Sequence, residues 1–178
     1  MKSLYNIDPS HSSANFSVKH MMIAKVHGGF EKISGKFAYD PQNLNESSVE
    51  AAIEVASINT RDAQRDAHLR SADFFEVEKY PLMTFKSTEF KQDGNNNLLV
   101  TGDLTIRDVT KKVTLIVDEQ SGEHKDPWGN LRIGLSARTK VNRKDFGLSW
   151  NAALEAGGVL VGDEITIGLD VQFIKEVK

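Results

Sequence analysis

The sequence predicts an all-β fold of about eight antiparallel strands with one or two short helices, and three observations support it. Apolar and polar residues alternate with period two along most of the 178 residues, which gives each strand one buried and one exposed face. The segments between the alternating runs are short and rich in turn-forming residues, such as "DGNNN" at 93–97, which favours hairpins over helical crossovers. Helical spacing is confined to two short segments, 20–26 and 59–72.

Eight segments carry the strand pattern. In chain order they are residues 14–20, 28–39, 49–57, 81–90, 97–106, 111–119, 130–141 and 164–175. The last is the clearest, because Ile165, Ile167 and Leu169 share one face and polar or small residues lie between them. One-sided antiparallel strands bury their apolar faces either by closing into a barrel or by folding into two packed sheets, and the pattern leaves both open.

The longer helical segment, residues 59–72, lacks a strong apolar stripe. Thr60 is its predicted N-cap, and a helix of this length is marginal on its own. Phe74 and Phe75 follow it directly and are expected to anchor it to the strands. A second helical turn is expected within "HMMIAKV", residues 20–26, where the alternation breaks.

Composition excludes several classes of function. The chain has no cysteine, which excludes disulfides, thiol catalysis and cysteine-ligated metal sites. Its net charge of −3 provides no basic field for nucleic acid. No apolar run has the length of a secretory signal or a membrane span, so we expect a cytoplasmic location, or a periplasmic or secreted one if a leader has been removed. Residues 1–178 are expected to form one domain.

The charged stretch "RDAHLRSADFF" at 65–75 admits a functional and a structural interpretation. In the functional one, His68 is a general base or a metal ligand, with His20 as a second candidate base. The structural one is favoured, because no one-face ligand spacing or nucleophile motif accompanies these residues. We then expect a hydrogen-bonded network that fixes this marginal helix, formed by Arg65, Asp66, His68 and Arg70.

The other conspicuous side chains are expected to be structural. A metal site is disfavoured, because a strand and a turn separate the three candidate ligands His11, His20 and His27. Five scattered cations could contact an anionic group such as a phosphate, but solvated strand surface is the favoured interpretation. They are Lys111, Lys112, Lys140, Arg143 and Lys144. Gly147 is expected to allow a bend that lets Phe146 and Trp150 cap the end of the strands.

Five blocks in order along the chain resemble the consecutive signatures of the YceI-like family. They are "DPSHSSANFSVKHM", "VHGGFEKISGKFAYDPQNL", "RDAHLRSADFFEVEKYPLMTFKS", "VTGDLTIRDVTKKVTL" and "VNRKDFGLSWN". The similarity extends from about Tyr5 to Phe173. One departure is Arg107-Asp108 in "LTIRDVTK", where the family has a histidine or lysine followed by glycine.

The resemblance implies a lipocalin-like, extended eight-stranded antiparallel β-barrel whose helical segment closes one end. It also implies that the barrel binds a long-chain amphiphilic lipid, such as a polyisoprenoid or an isoprenoid quinone, without a cofactor or a metal and without catalysis. The residues expected to contact this lipid have inward parity or lie near the barrel mouth: Phe16, Val18, His20, Met22, Ile23, Ile53, Phe74, Phe85, Leu104, Ile133, Leu135, Phe146, Trp150 and Leu169.

Two other functions stay open on the sequence. One is an enzyme that acts on a lipid-like substrate with a histidine general base. The other is a solid β-domain that works through surface contacts, because most small barrels are filled by their own side chains. Exposed edge strands also make a homodimer reasonable.

Overall fold

The computed structural model describes residues 1–155 and 157–177. Its strands are β1 (Ser3–Ile7), β2 (Ser13–His20), β3 (Ala24–Phe30), β4 (Ile33–Tyr39), β5 (Ser48–Glu54), β6 (Ile58–Asn59), β7 (Leu82–Gln92), β8 (Leu98–Ile106), β9 (Val109–Gln120), β10 (His124–Lys125), β11 (Leu131–Asn142) and β12 (Val161–Lys175). The α-helix α1 spans Ala63–Arg70, and 3₁₀ turns occupy Pro9–His11, Leu44–Glu46, Val55–Ser57 and Arg143–Phe146. Across the described residues, no helix has the length and apolar character needed to cross a membrane.

The strands form a closed antiparallel ring in the order β1–β4–β5–β7–β8–β9–β11–β12, and β12 pairs again with β1. β1 and β2 occupy the same position in the wall, one after the other along the barrel axis, because they pair with different parts of β12. β3 continues β4 in the same way, since β2 pairs with β3 as β1 pairs with β4. The wall therefore has eight positions filled in chain order, which confirms the predicted eight-stranded barrel.

In two neighbouring positions of the wall, the strand is interrupted at the same level along the barrel axis. The predicted strand 28–39 is split into β3 and β4, and the predicted strand 49–57 ends in a 3₁₀ turn before β6. Ser57 joins the two breaks, because its hydroxyl accepts hydrogen bonds from the N–H groups of Glu31 and Lys32, both at 3.1 Å. β1 lies outside the eight predicted segments, since five residues show too little of a two-residue period.

The predicted helical turn at 20–26 is wrong. β2 and β3 are joined there by a tight turn in which the N–H of Ile23 donates to the carbonyl of His20 at 3.2 Å. Met21 and Met22 occupy the two central positions with φ values of 51° and 60°. Positive φ at both positions characterises a type I′ hairpin turn, which matches the twist of the two strands.

The helix at 59–72 is confirmed, but its predicted N-cap is wrong. α1 begins after Asp62, whose carboxylate accepts a hydrogen bond from the N–H of Arg65 at 3.0 Å. Thr60 lies two residues earlier, where it is buried and holds the helix from the side. The predicted hairpin at "DGNNN" is also confirmed, between β7 and β8.

Inward-facing apolar side chains form two clusters, one toward each end of the barrel. At the end that carries the chain termini, hereafter the closed end, the Phe37 ring is 1% exposed. It packs against Tyr39 and Phe173 with ring centroids 5.0 Å apart in both cases. The second cluster lies beneath α1, at the lid end, and includes Ile58 and Phe146. Aromatic rings thus fill the closed end.

Arg132 joins two carboxylates outside the closed end. Its guanidinium donates to Asp8, and its Nε donates to Asp126 at 2.7 Å. Hydrogen bonds from the Ser10 hydroxyl and then from Arg132 hold the pKa of Asp8 well below its usual value. Burial opposes the ionisation of Asp126, but hydrogen bonds from Arg132 and Asn130 outweigh it and also keep the pKa of Asp126 low.

We expect this cluster to make the barrel sensitive to acid. Asp8 and Asp126 have folded-state pKa values below the unfolded value of 3.8. They therefore stabilise the fold above about pH 4, and that contribution is lost as the pH falls further. Arg132→Gln should lower the free energy of unfolding at neutral pH and weaken its decline below about pH 4. Urea unfolding across a pH series measures both effects.

The matched control is Arg138→Gln, which breaks an exposed ion pair with Asp118. Exposed ion pairs contribute about 0–1 kcal/mol, so this variant should keep the pH dependence of the wild type. An Arg132→Gln protein with an unaltered pH dependence would contradict the assignment.

Candidate ligand-binding site

An apolar cavity of about 240 Å³ lies inside the barrel. Side chains from every strand of the ring line it, and the lid end contributes Leu69, Phe74 and Phe75. Its few polar lining residues are Asn15, Thr84, Thr139 and Arg143. An apolar protein cavity of ~150 Å³ stays dry and takes up benzene. A cavity of this size and lining is therefore suited to hydrocarbon rather than to water.

Small residues leave this space open. Ala51 and Ala137 line the cavity from opposite sides of the ring order, on β5 and β11. On β8, a Cβ at Gly102 would lie 2.5 Å from the Lys86 carbonyl oxygen and 2.6 Å from the Phe85 ring. Glycine at this position lets the Phe85 ring lie across the strand. The interior is thus not solid, which counts against the solid β-domain.

Nine of the fourteen predicted ligand contacts line the cavity, and five lie outside its wall. The nine are Phe16, Val18, Ile53, Phe74, Phe85, Leu104, Leu135, Phe146 and Leu169. The other five are His20, Met22, Ile23, Ile133 and Trp150. Strand parity accounts for the inward face of the seven that lie on strands, because alternation determines which face of the wall a residue occupies. Their contact with a ligand stays a prediction.

The five exceptions have three physical causes. Ile133 faces inward but is 3% exposed within the closed-end cluster, beyond the floor of the cavity. His20, Met22 and Ile23 belong to the β2–β3 turn, which extends past the rim of the barrel. Trp150 packs behind the lid, with its ring centroid 5.4 Å from that of Phe74.

The stretch 65–75 forms the lid. Phe74 is buried and faces the cavity. The His68 ring packs edge-on against Phe74 and Trp150, at centroid distances of 5.1 and 4.5 Å. The Nε2 of His68 lies 2.8 Å from the carboxylate of Asp73, and the ring does not line the cavity. These contacts favour a structural role for His68 in the lid.

The predicted hydrogen-bonded network is present but is centred on Thr60. The buried carboxylate of Asp66 accepts hydrogen bonds from the N–H and the hydroxyl of Thr60. Arg65 donates to the Thr60 hydroxyl at 2.8 Å and to its carbonyl at 2.7 Å. Arg70 donates separately to the carbonyls of Ala56 and Ile58. Side-chain bonds to backbone therefore fasten α1 to the end of β6.

Arg143 is the residue of the site that sequence reasoning missed. It was expected on the solvated surface, but it is 3% exposed and lines the cavity. Its Nε donates to the carbonyl of Gly162 at 2.8 Å, and one terminal nitrogen donates to those of Leu148 and Trp150 at 2.6 and 2.8 Å. Burial lowers the pKa of Arg143 from its usual value, yet a guanidinium stays charged in proteins.

The parity of β11 contained the signal for this position. Leu135, Ala137, Thr139 and Val141 face the cavity, and position 143 continues the same series. Gly147 follows with φ of 78° and ends the 3₁₀ turn, as the predicted bend requires. Phe146 is buried beneath this turn.

The three candidate ligands His11, His20 and His27 make separate contacts and do not form one site. His11 contacts the carboxylate of Asp8 at 2.9 Å, whereas His27 is exposed on the opposite strand of the β2–β3 hairpin. Within residues 1–155 and 157–177, no group of three or more His, Cys, Asp or Glu side chains is arranged to hold a metal ion.

Comparison with known proteins identifies relatives that match most of the chain. The model of the YceI-like domain matches residues 5–173. A UPF0312 protein of Vibrio cholerae serotype O1 is 43% identical over 139 residues, which cover 78% of this chain and 73% of that protein. The crystal structure of Burkholderia cenocepacia BcnA aligns with a TM-score of 0.78 at 24% identity, over 93% of this chain and 98% of that one. A polyisoprenoid binding domain from Saccharophagus degradans aligns with a TM-score of 0.68 at 16% identity, over 97% and 98% of the two chains.

Arg143 is expected to be the most costly single polar residue to replace at this site. Arg143→Met keeps a long inward side chain but removes the donors to four carbonyls. Each buried unpaired carbonyl costs about 1–3 kcal/mol, so the free energy of unfolding should fall by about 3 kcal/mol or more. Lys144→Met, next in the chain and exposed, should change it by no more than about 0.5 kcal/mol. Urea unfolding compares them, and similar losses in both would refute the role of Arg143.

Proposed function

Because the chain belongs to the YceI-like family, we propose that its barrel binds the hydrocarbon tail of a long-chain amphiphilic lipid and carries it unchanged. The apolar cavity of about 240 Å³ is the observation on which this proposal rests. The Saccharophagus degradans domain has the same fold and is named for polyisoprenoid binding, which supports a polyisoprenoid or an isoprenoid quinone as the class of ligand. The cytoplasmic location and the homodimer expected from the sequence stay predictions.

Hydrophobic burial supplies the affinity in this proposal. Each buried CH₂ group contributes about 0.8 kcal/mol, so a five-carbon isoprene unit contributes on the order of 4 kcal/mol before the cost of ordering the tail. The wall offers aromatic and branched side chains, with Phe16, Phe85 and Leu104 among them. Such a wall selects a ligand by the length and bulk of its tail. It has almost no polar group that could recognise a polar substituent on that tail.

The polar headgroup is expected to remain at the lid end, in contact with water. Arg143 is the only cation on the described cavity wall. All three of its guanidinium nitrogens already donate to backbone carbonyls, and the carboxylate of Asp163 lies 3.6 Å away. A buried headgroup without a partner would lose several kcal/mol. The tail therefore enters the barrel and the headgroup stays outside.

The lid is the proposed entrance. α1 has eight residues, which is too short for a stable isolated helix. It is held by the contacts around Thr60 and by the aromatic packing of Phe74. Displacing Leu69, Phe74 and Phe75 would open the cavity without breaking a hydrogen bond of the ring. Among the described residues, the closed end has no comparable segment, because its aromatic cluster belongs to the strands themselves.

Carriage is favoured over catalysis by the positions of the two candidate bases. His20 belongs to the β2–β3 turn and His68 to the lid, and neither lines the cavity. A general base must come within about 3 Å of the proton that it removes. Neither side chain is placed to reach the interior of the barrel, so a bound tail would not be altered there.

Native mass spectrometry of the purified protein, followed by solvent extraction, tests the binding proposal. We expect a non-covalent adduct, and the mass of the extracted molecule identifies its tail and headgroup. Protein stripped of ligand should take up a polyprenyl phosphate or an isoprenoid quinone. The proposal fails if the protein carries no apolar molecule and takes up none of these lipids or a long-chain fatty acid.

Ala137→Phe is expected to reduce lipid uptake at least tenfold, because the added ring enters the cavity and leaves less space for a tail. Lys140→Phe is the matched control, since position 140 on the same strand is exposed and faces away from the cavity. Uptake of a fluorescent prenyl analogue measures both variants, with circular dichroism to confirm folding. Equal uptake by folded Ala137→Phe and wild type would exclude the interior as the binding site.

His68→Ala separates carriage from catalysis. We expect both wild type and variant to leave a bound prenyl lipid with unaltered mass after long incubation. The variant should release the lipid faster, because the lid loses the ring between Phe74 and Trp150. Conversion of the lipid by wild type, abolished in His68→Ala, would instead establish an enzyme.

A further inference from the structure

The β2–β3 turn presents an exposed apolar surface at the lid end. Met21, Met22 and Ile23 are 42%, 63% and 83% exposed, and Val159 beside them is 39% exposed. The Met21 N–H donates to the carbonyl of Leu160 at 2.8 Å, which holds the turn against the loop that precedes β12. We call Met21, Met22, Ile23 and Val159 the apolar tip.

The strands that carry the apolar tip are basic. No aspartate or glutamate occurs from Pro9 to Phe30, although the chain as a whole has a net charge of −3. Lys19 and Lys25 are exposed and stand opposite each other in the register of β2 and β3. Like charges in that arrangement destabilise a hairpin. Two carboxylates lie near these strands. Glu155 belongs to the loop before β12, and Asp163 pairs with Arg143 and Lys144. Lys19 and Lys25 therefore leave the surface around the tip with a positive balance.

Stability of the turn does not account for its residues. Met21 and Met22 both adopt positive φ, at 51° and 60°, where asparagine and glycine are preferred. Backbone strain of this kind is concentrated at functional sites. The sequence therefore places exposed, flexible apolar side chains on a strained backbone turn. The turn lies between Lys19 and Lys25, for which the described residues provide no ion-pair partner.

We propose that the apolar tip docks the barrel onto the surface of an anionic phospholipid bilayer. Met22 and Ile23 enter the boundary between headgroups and acyl chains, and Lys19 and Lys25 contact the lipid phosphates. Apolar insertion combined with basic residues is the pair of signals that holds a protein at a membrane surface. This inference goes beyond the binding of a tail in the barrel and does not depend on the identity of that ligand.

Docking would bring the entrance of the cavity to the bilayer. Val18 and Val161 line the cavity, and Val161 pairs directly with His20 at the base of the turn. The lid and the apolar tip thus belong to the same end of the barrel. A lipid tail could pass between the membrane and the cavity across a short distance.

Co-sedimentation with vesicles tests the proposal on the full chain. Binding is expected to vesicles that contain phosphatidylcholine and phosphatidylglycerol, to weaken with added salt, and to be far weaker with phosphatidylcholine alone. Removing Lys19 or Lys25 by substitution with glutamine should lower binding to the anionic vesicles about fivefold for each residue. Lys36→Gln and Lys91→Gln, made separately, each remove one charge from an exposed position on β4 or β7 and should each leave binding nearly unchanged.

The decisive variant combines Met21→Asn, Met22→Gly and Ile23→Ser. Asparagine and glycine suit the positive φ of the turn, so this protein should unfold at the same or a higher urea concentration than wild type and yet lose vesicle binding. Trp128→Ser, which removes an exposed aromatic side chain (81% exposed) from the opposite end, should bind normally.

Three results would overturn the proposal. The first is full vesicle binding by the triple variant. The second is loss of binding in Trp128→Ser, which would move the contact to the closed end. The third is found by analytical ultracentrifugation, if the wild type is a dimer and the triple variant a monomer while both bind vesicles equally. That result would assign the tip to contact with a second copy of the chain.

Discussion

The pairing of β12 with β1 and β2 is the constraint on which the rest of the structure depends. It joins the two ends of the sequence, with Tyr5 opposite Lys175 and Val18 opposite Ile165. The gap between β1 and β2 is bonded to β12 as well, since the Asp8 N–H donates to the carbonyl of Gln172 at 2.8 Å. An open sheet of the same strands would expose one apolar face and two edges. The closed ring encloses that face instead, and creates the cavity.

The two ends of the ring are sealed by different physical means. Rings on the strands themselves, centred on Phe37, fill the closed end. The lid end is covered by a short helix and a loop that are attached through side chains, with Thr60 and Arg143 at the attachments. A segment attached in this way can move while the ring stays hydrogen-bonded. This asymmetry supports the proposed entrance at the lid end, where the apolar tip and its lysines also lie.

Arg143 and Ile133 show why strand parity predicts a ligand site only in part. Both face inward from β11, but Ile133 lies in the closed-end cluster and Arg143 on the cavity wall. Alternation along a strand reports the face of a residue and contains no information on its height in the barrel. The charge of Arg143 suggested a solvated position. Its burial becomes acceptable because the carbonyls of Leu148, Trp150, Val161 and Gly162 converge on the guanidinium and the carboxylate of Asp163 lies 3.6 Å from it.

The sequence by itself determined the strand pattern and the inward face of residues such as Phe85 and Leu169, because these follow from local alternation and turn chemistry. Five ordered blocks indicated the family, and that resemblance implied the eight-stranded barrel and the helical segment that closes one end. Only the tertiary structure decided that the interior is hollow, that α1 is fastened through Thr60, and that Met22 and Ile23 lie outside the barrel rather than in its mouth. Those features arise from contacts between residues that are distant in sequence or from the height of a turn above the rim, and neither is encoded in a periodicity.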